Sequence, residues 1–167
     1  IAVDIYKKAW AVVAASNEIL RTVFQWEQMG NQLQVVLKEY SLEPEVYDLS
    51  AGTPGEWKTR LEEIRTADKK NKFDLQQVPF RVALCKLRDN RYEMIISHHH
   101  ILFDGWSTGI ILKEFFKTYD RLYHGKAPEA PSKTKFKEFV KWVHRQDPVE
   151  EKRYWEDYFR GYEAPAV

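Results

Sequence analysis

Cysteine is almost absent. Cys85 stands alone among 167 residues, so no disulfide can close within the chain, and burial rather than cross-linking must hold it together. A lone thiol in an apolar stretch fits a reducing compartment, and the cytoplasm is the expected location. An excess of either charge is missing too. Against 26 Lys and Arg stand 25 Asp and Glu, interspersed and without a basic stripe, so no nucleic-acid partner is expected. No apolar run approaches the roughly 20 residues that a membrane-spanning helix needs. No charged-then-apolar leader opens the chain, and no membrane association is expected. Internal repeats and low-complexity tracts are lacking as well.

What remains is a composition that folds. Hydrophobic residues make up 44% of the chain and aromatic residues 14%, enough to build a sizeable core in one domain and to argue against disorder. The first residue is Ile1 rather than Met, inside a helical pattern, so the chain is expected to be a piece of a longer polypeptide.

Periodicity outlines an α+β arrangement. Ile1, Ile5, Ala9, Val12 and Val13 recur every three to four residues, one face of an amphipathic helix that should end near residues 15–17. Ile19 to Trp26 reads as a strand, Gln28 to Asn31 as a turn and Leu33 to Leu37 as a returning strand, together a hairpin. Val46 to Leu49 is a short extended piece. Pro54 suits a helix entry, and Trp57, Leu61 and Ile64 mark the inward face of that helix, which ends in the charged run Asp68 to Lys72. Phe80 to Leu87 and Tyr92 to His99 form a second hairpin across residues 88–91. A long helix with Ile110, Ile111, Phe115, Tyr119 and Leu122 stops at Gly125. A linker over 126–132 leads to two final helices, Thr134 to Arg145 and Val149 to Arg160, split by Pro148.

The chemistry concentrates between Glu93 and Ser107. An apolar strand, Met94 to Ser97, runs into His98, His99 and His100, then Ile101, Leu102 and Phe103, then Asp104-Gly105. Gly105 can adopt φ > 0 and turn the chain, and Ser107 is a good N-cap for the helix that follows. Strand, histidines, tight turn and helix in that order place titratable groups at a rigid strand end near a helix N-terminus. If extended geometry persists, His98 and His100 share one face and His99 takes the other, so His99 and His100 cannot do the same job.

His99-His100-Ile101-Leu102-Phe103-Asp104-Gly105 resembles the HHxxxDG signature of condensation domains of nonribosomal peptide synthetases, in the chloramphenicol-acetyltransferase-like superfamily. The context matches on both sides, through Asn90 to Ser97 before it and Trp106-Ser107 after it. Glu18-Ile-Leu-Arg-Thr-Val-Phe24 resembles the family's RHExLRTxF segment, with Ser16-Asn17 in place of Arg-His. Phe73-Asp-Leu75 and Pro79-Phe-Arg-Val82 resemble the strand entry before the histidines, and Tyr154-Trp155 the aromatic pair that closes the N-terminal lobe. The resemblance implies a chloramphenicol-acetyltransferase-like lobe: a mostly antiparallel or mixed sheet with helices packed on it. It implies that residues 1–167 are a partial N-terminal lobe, with the opening segment and the C-terminal lobe absent.

The resemblance also implies an amide-forming acyltransferase acting on two carrier-bound thioesters. His100 is its base or positioning group, with His99, Asp104 and Gly105 beside it in the motif. His99 is expected to be structural and to aid the turn. Asp104 is expected to anchor the turn by pairing with Arg21, Trp106 to pack as wall or core, and His98 to sit as a polar residue near the tunnel mouth. No cofactor is expected on the chain itself; phosphopantetheine arms come on peptidyl or aminoacyl carrier domains. The other implied partners are a neighbouring adenylation domain and the second lobe. Alone, the fragment is expected to be inactive.

Other readings compete. His98, His100 and Asp104 could offer three zinc ligands, but their spacing does not meet the HxHxD pattern, and no metal is expected. Cys85, Ser97 and Ser107 lack a nucleophile's context: the cysteine reads as a buried small residue, and neither serine sits in G-x-S-x-G. A non-catalytic module that docks carrier proteins, or an epimerisation domain with a related HHxxxD motif, would carry much of the same sequence.

Overall fold

The computed structural model describes residues 1–25, 32–88, 90–129 and 132–162. The chain divides into two compact units, Ile1–Pro131 and Ser132–Val167.

In the first unit, helix α1 spans Val3–Ser16 and buries Tyr6, Ala9, Trp10, Val13 and Ala14, the stripe that its periodicity dictates. The segment expected as one strand from Ile19 begins instead as a 3-10 turn, Glu18–Arg21, and only then extends as β1, Thr22–Gln25. Local hydrogen bonds decide this: the Leu20 N–H donates to the Asn17 carbonyl at 3.0 Å, and the Thr22 hydroxyl donates to the Glu18 carbonyl at 2.7 Å. They turn Leu20 fully into the core. Strand β2, Leu33–Val36, pairs antiparallel with β1; the turn expected over 28–31 lies outside the described residues.

Strand β3, Glu45–Asp48, leads into helix α2, Pro54–Lys70. Thr53 and Glu56 close a capping box at its start: the Glu56 N–H donates to the Thr53 hydroxyl at 3.4 Å, and the Thr53 N–H donates to the Glu56 carboxylate at 2.6 Å. After α2 the chain returns as β4, Phe80–Lys86, parallel to β3, and reverses into β5, Tyr92–His98, antiparallel to β4. Asn90, at φ 56°, supplies the left-handed residue of that reversal. Helix α3, Gly105–Tyr123, follows, and Gly125 ends it at φ 68°.

Strand alternation sorts the core into two layers. Phe80, Val82 and Leu84 of β4, with Met94 and Ile96 of β5, meet α1 and α3 through Trp10, Ile111 and Phe115. Cys85, Leu87 and Ile95 meet Leu61 and Ile64 of α2 on the other side. The expected mixed sheet with helices packed on it is what forms, and the β4–β5 pairing matches the expected hairpin. In the second unit, helix α4 spans Phe136–Val143 and helix α5 spans Pro148–Tyr158. Pro148 opens α5 rather than merely separating two helices, with Asp147 as its cap. Among the described residues no helix is long and apolar enough to cross a membrane.

Candidate active site

Strand β5 ends at His98, and the next residues fold over the sheet's edge. The His99 N–H donates to the Pro79 carbonyl at 3.1 Å, extending the β4–β5 ladder by one bond. The Leu102 N–H then donates to the His99 carbonyl at 3.0 Å, closing a turn over 99–102. Leu102 is buried and pins this turn to the core, while Ile101 is exposed. Extended geometry therefore stops at His98, yet the rings of His98 and His100 still lie 5.5 Å apart. His99 points its Nδ1 at the Ile101 N–H, which donates to it at 3.1 Å. Accepting that bond leaves the proton of a neutral His99 on Nε2. The three histidines thus separate: His99 is tied to the turn backbone, His98 lies half-buried, and His100 is exposed.

His98 stacks on Phe103, with ring centroids 4.4 Å apart and planes at 20°. Burial, with His100 and His99 behind it, holds the His98 pKa below the ordinary imidazole value, so His98 resists protonation. Its Nε2 is buried and has no hydrogen-bond partner among the described residues.

Several expectations are corrected here. Asp104, not Ser107, caps α3: its carboxylate accepts the Ser107 N–H at 2.9 Å. That bond, with further N–H groups of the helix start, holds the Asp104 carboxyl below the usual range. Asp104 is exposed and forms no ion pair with Arg21 among the described residues. Arg21 instead donates to the Leu37 carbonyl, beyond the end of β2, because the 3-10 turn carries its side chain toward that strand. Gly105 is the first residue of α3 and is not among the described glycines with positive φ, so the chain turns before it without using its freedom. Trp106 does not pack: it is 88% exposed at the second position of α3.

Sequence reasoning missed two supports. Phe103 holds His98 face to face, and its place among the three residues between His100 and Asp104 gave no hint of a ring partner upstream. On the opposite side of the sheet, the Ser97 hydroxyl donates to the Asp68 carboxylate of α2. Arg81 of β4, the register partner of Ser97, donates to the same carboxylate at 3.1 Å and to the Asn71 carbonyl at 2.9 Å, with its guanidinium 4.0 Å from the Phe73 ring. Asp68 and Ser97 are 29 positions apart, and no spacing rule connects them.

A concavity between α2 and β3, lined in part by Tyr47, Arg60, Glu63, Asp68 and Arg81, lies on the α2 side of the sheet. Among its charged side chains, Arg60 pairs with Glu63 and Arg81 with Asp68, and the Glu45 carboxylate accepts the Tyr47 hydroxyl. Among the described residues no three His, Cys, Asp or Glu side chains converge as metal ligands would. Cys85 is fully buried, and burial raises its thiol pKa, away from the thiolate a nucleophile needs.

A family model described as a condensation domain matches residues 1–167. Surfactin synthase subunit 3 of Bacillus subtilis (strain 168) is 35% identical over 154 residues, 92% of this chain and 12% of that protein. Bacitracin synthase 3 of Bacillus licheniformis is 32% identical over 151 residues, 90% of this chain and 2% of that protein. The chain thus spans a small part of these relatives. Among solved structures, the starter condensation domain of rhizomide synthetase superposes with a TM-score of 0.84 at 19% identity, over 100% of this chain and 41% of that one. The epimerization domain from the third module of tyrocidine synthetase B superposes with a TM-score of 0.82 at 21% identity, over 100% of this chain and 39% of that one.

Proposed function

The chain belongs to the condensation domain family, and on that premise we propose that it takes part in peptide-bond formation between two acyl groups, each carried as a thioester on the phosphopantetheine arm of a carrier domain. The supporting observation is the position of His100, exposed just past the end of β5 on a turn pinned by Leu102 and closed by His99.

The acceptor's α-amine attacks the donor's carbonyl carbon. A C–N bond forms, the C–S bond breaks, and the departing thiolate takes up the proton that the amine loses. An α-amine with a pKa of about 8 is largely protonated at neutral pH, and only its free form is nucleophilic. An imidazole that accepts the proton, or that orients the amine and the tetrahedral oxyanion, contributes roughly 10²–10⁴-fold. His100 has that role. His99 and Asp104 shape the loop, through the Ile101 amide and the α3 cap respectively.

The partners on this reading are donor and acceptor carrier domains, a neighbouring adenylation domain and a second lobe that completes the tunnel. The chain's 41% share of a solved condensation domain fits one lobe of two. The compartment is the cytoplasm, where Cys85 stays reduced. Epimerisation is the second reading, since an epimerization domain shares the fold; the run Asp104-Gly105-Trp106-Ser107 resembles the condensation signature more closely.

The test uses the complete synthetase that contains this chain, supplied with donor- and acceptor-loaded carriers, with dipeptidyl thioester followed by mass spectrometry. His100→Ala is expected to lower turnover by about 100-fold or more, and the 167-residue chain alone to give none. Full activity of His100→Ala overturns the role of His100. Inversion at the α-carbon without a new amide bond supports epimerisation, and carrier binding without either reaction supports a docking module.

A further inference from the structure

We infer that His98 is a positioning residue: its ring, held flat against Phe103, is the wall that fixes the ring of His100. The inference rests on the reading of His100 as the acting group.

Rings run in an unbroken series from the core to the surface at this end of the sheet. Trp10, fully buried, lies 5.7 Å from Phe80; Phe80 lies 6.2 Å from Phe103; Phe103 lies 4.4 Å from His98; and His98 lies 5.5 Å from His100. Phe80 is also the register partner of His98 across β4 and β5, so the strand ladder and the ring series fix His98 together. His100 has no such anchorage. It is exposed, and among the described residues its ring makes no hydrogen bond, so the His98 ring, tilted 57° to it, is the neighbour that restricts it.

The buried Nε2 of His98 points to the same role. A histidine kept for hydrogen bonding would have its nitrogens paired, because an unpaired buried polar atom is destabilising. Within this lobe His98 is therefore held by its stack on Phe103 and by its strand rather than by a hydrogen bond at Nε2. The turn closed by the Leu102–His99 hydrogen bond holds the His100 backbone but does not set the orientation of its ring. A misplacement of about 1 Å at a reacting group costs on the order of 10²-fold in rate, so a wall for that ring has a kinetic consequence.

The experiment makes His98→Phe, His98→Leu and His98→Ala in the complete synthetase, with His100→Ala alongside. Phenylalanine keeps the flat ring and discards the imidazole chemistry; leucine fills the space without a flat face. His98→Phe is expected within about 3-fold of wild-type kcat, and His98→Leu and His98→Ala on the order of 10- to 100-fold lower, with KM for both loaded carriers unchanged. Wild-type kcat in His98→Leu overturns the inference. So does a His98→Phe variant as impaired as His98→Leu, because the imidazole itself would then be required. If His98→Ala does not fold, the Phe and Leu variants decide. A fully active His100→Ala defeats the underlying reading, whereas an inactive His100→Ala beside a fully active His98→Leu defeats only the positioning role.

Discussion

The carboxylate of Asp104 accepts the N–H of Ser107 at 2.9 Å, so the aspartate of the HHxxxDG run is the N-cap of the helix that follows it. An exposed cap and a buried ion pair behave differently under mutation, and this relationship sets the first expectation. Asp104→Ala should lower the melting temperature of the chain by only a few degrees, whereas Asp104→Asn, which keeps the acceptor, should fall between wild type and alanine. The pH dependence follows from the lowered carboxyl pKa. The stabilisation is complete above the ordinary carboxylate value of about 4 and is lost as pH falls through the lower folded value. Thermal melts from pH 7 to pH 2 check this: the gap between wild type and Asp104→Ala should narrow, toward that between Asp104→Asn and Asp104→Ala, as pH falls. A gap unchanged at pH 2 would remove the charge from the account.

The Asp68–Arg81 pair should matter more than a typical surface ion pair. Its side chains are 22% and 26% exposed, and Arg81 also donates to the Asp68 and Asn71 carbonyls at the end of α2. Arg81→Leu removes all of these bonds and is expected to cost about 2 kcal/mol; Asp68→Ala leaves Arg81 its carbonyl partners and should cost less. Urea unfolding midpoints measure both. Asp68→Ala loses the Ser97 hydroxyl bond as well, so both variants are compared in a Ser97→Ala background, where equal effects would show that the carbonyl bonds contribute nothing.

Cys85 should resist thiol reagents in the native chain and react on unfolding. It is fully buried, and burial raises its pKa, so both access and thiolate fraction are low. Iodoacetamide labelling followed by mass spectrometry, with and without denaturant, reads this directly. Rapid native labelling would mean that the α2 side of the sheet opens readily.

What could be read from the chain itself was local. The alternation in Phe80-Arg-Val-Ala-Leu and the three-to-four-residue spacing of Trp57, Leu61 and Ile64 each report which face is buried, and the hairpin and α2 follow from them. The histidine run and its context were legible for the same reason: the strand ends where the apolar residues end. Pairings between distant segments were not. Nothing near Val46 announces that β3 runs parallel to β4, although strand, helix and strand in succession is the pattern such a crossover requires. Arg21 lies in a stretch rich in β-formers, and the local hydrogen bonds of Leu20 and Thr22, together with the burial of Leu20, make that stretch coil first. A motif carboxylate suggests a distant cation as partner for Asp104, yet a backbone N–H three residues on is sufficient.

The parallel pairing of β3 with β4 also bears on the order in which the lobe assembles. The β4–β5 hairpin closes across a short reversal, whereas Asp48 and Lys86, which face each other across β3 and β4, are 38 residues apart. Loop-closure entropy rises with the length of chain to be closed, and parallel pairing comes late for that reason. The hairpin is therefore expected to nucleate with α3, its neighbour in sequence and space, and β3 to dock later, once α2 has folded back. On this view substitutions at Phe80 or Met94 slow folding, while substitutions at Val46 chiefly speed unfolding, and stopped-flow chevrons separate the two. The strand end that bears the histidines is then set early, before the outer strand of the sheet arrives.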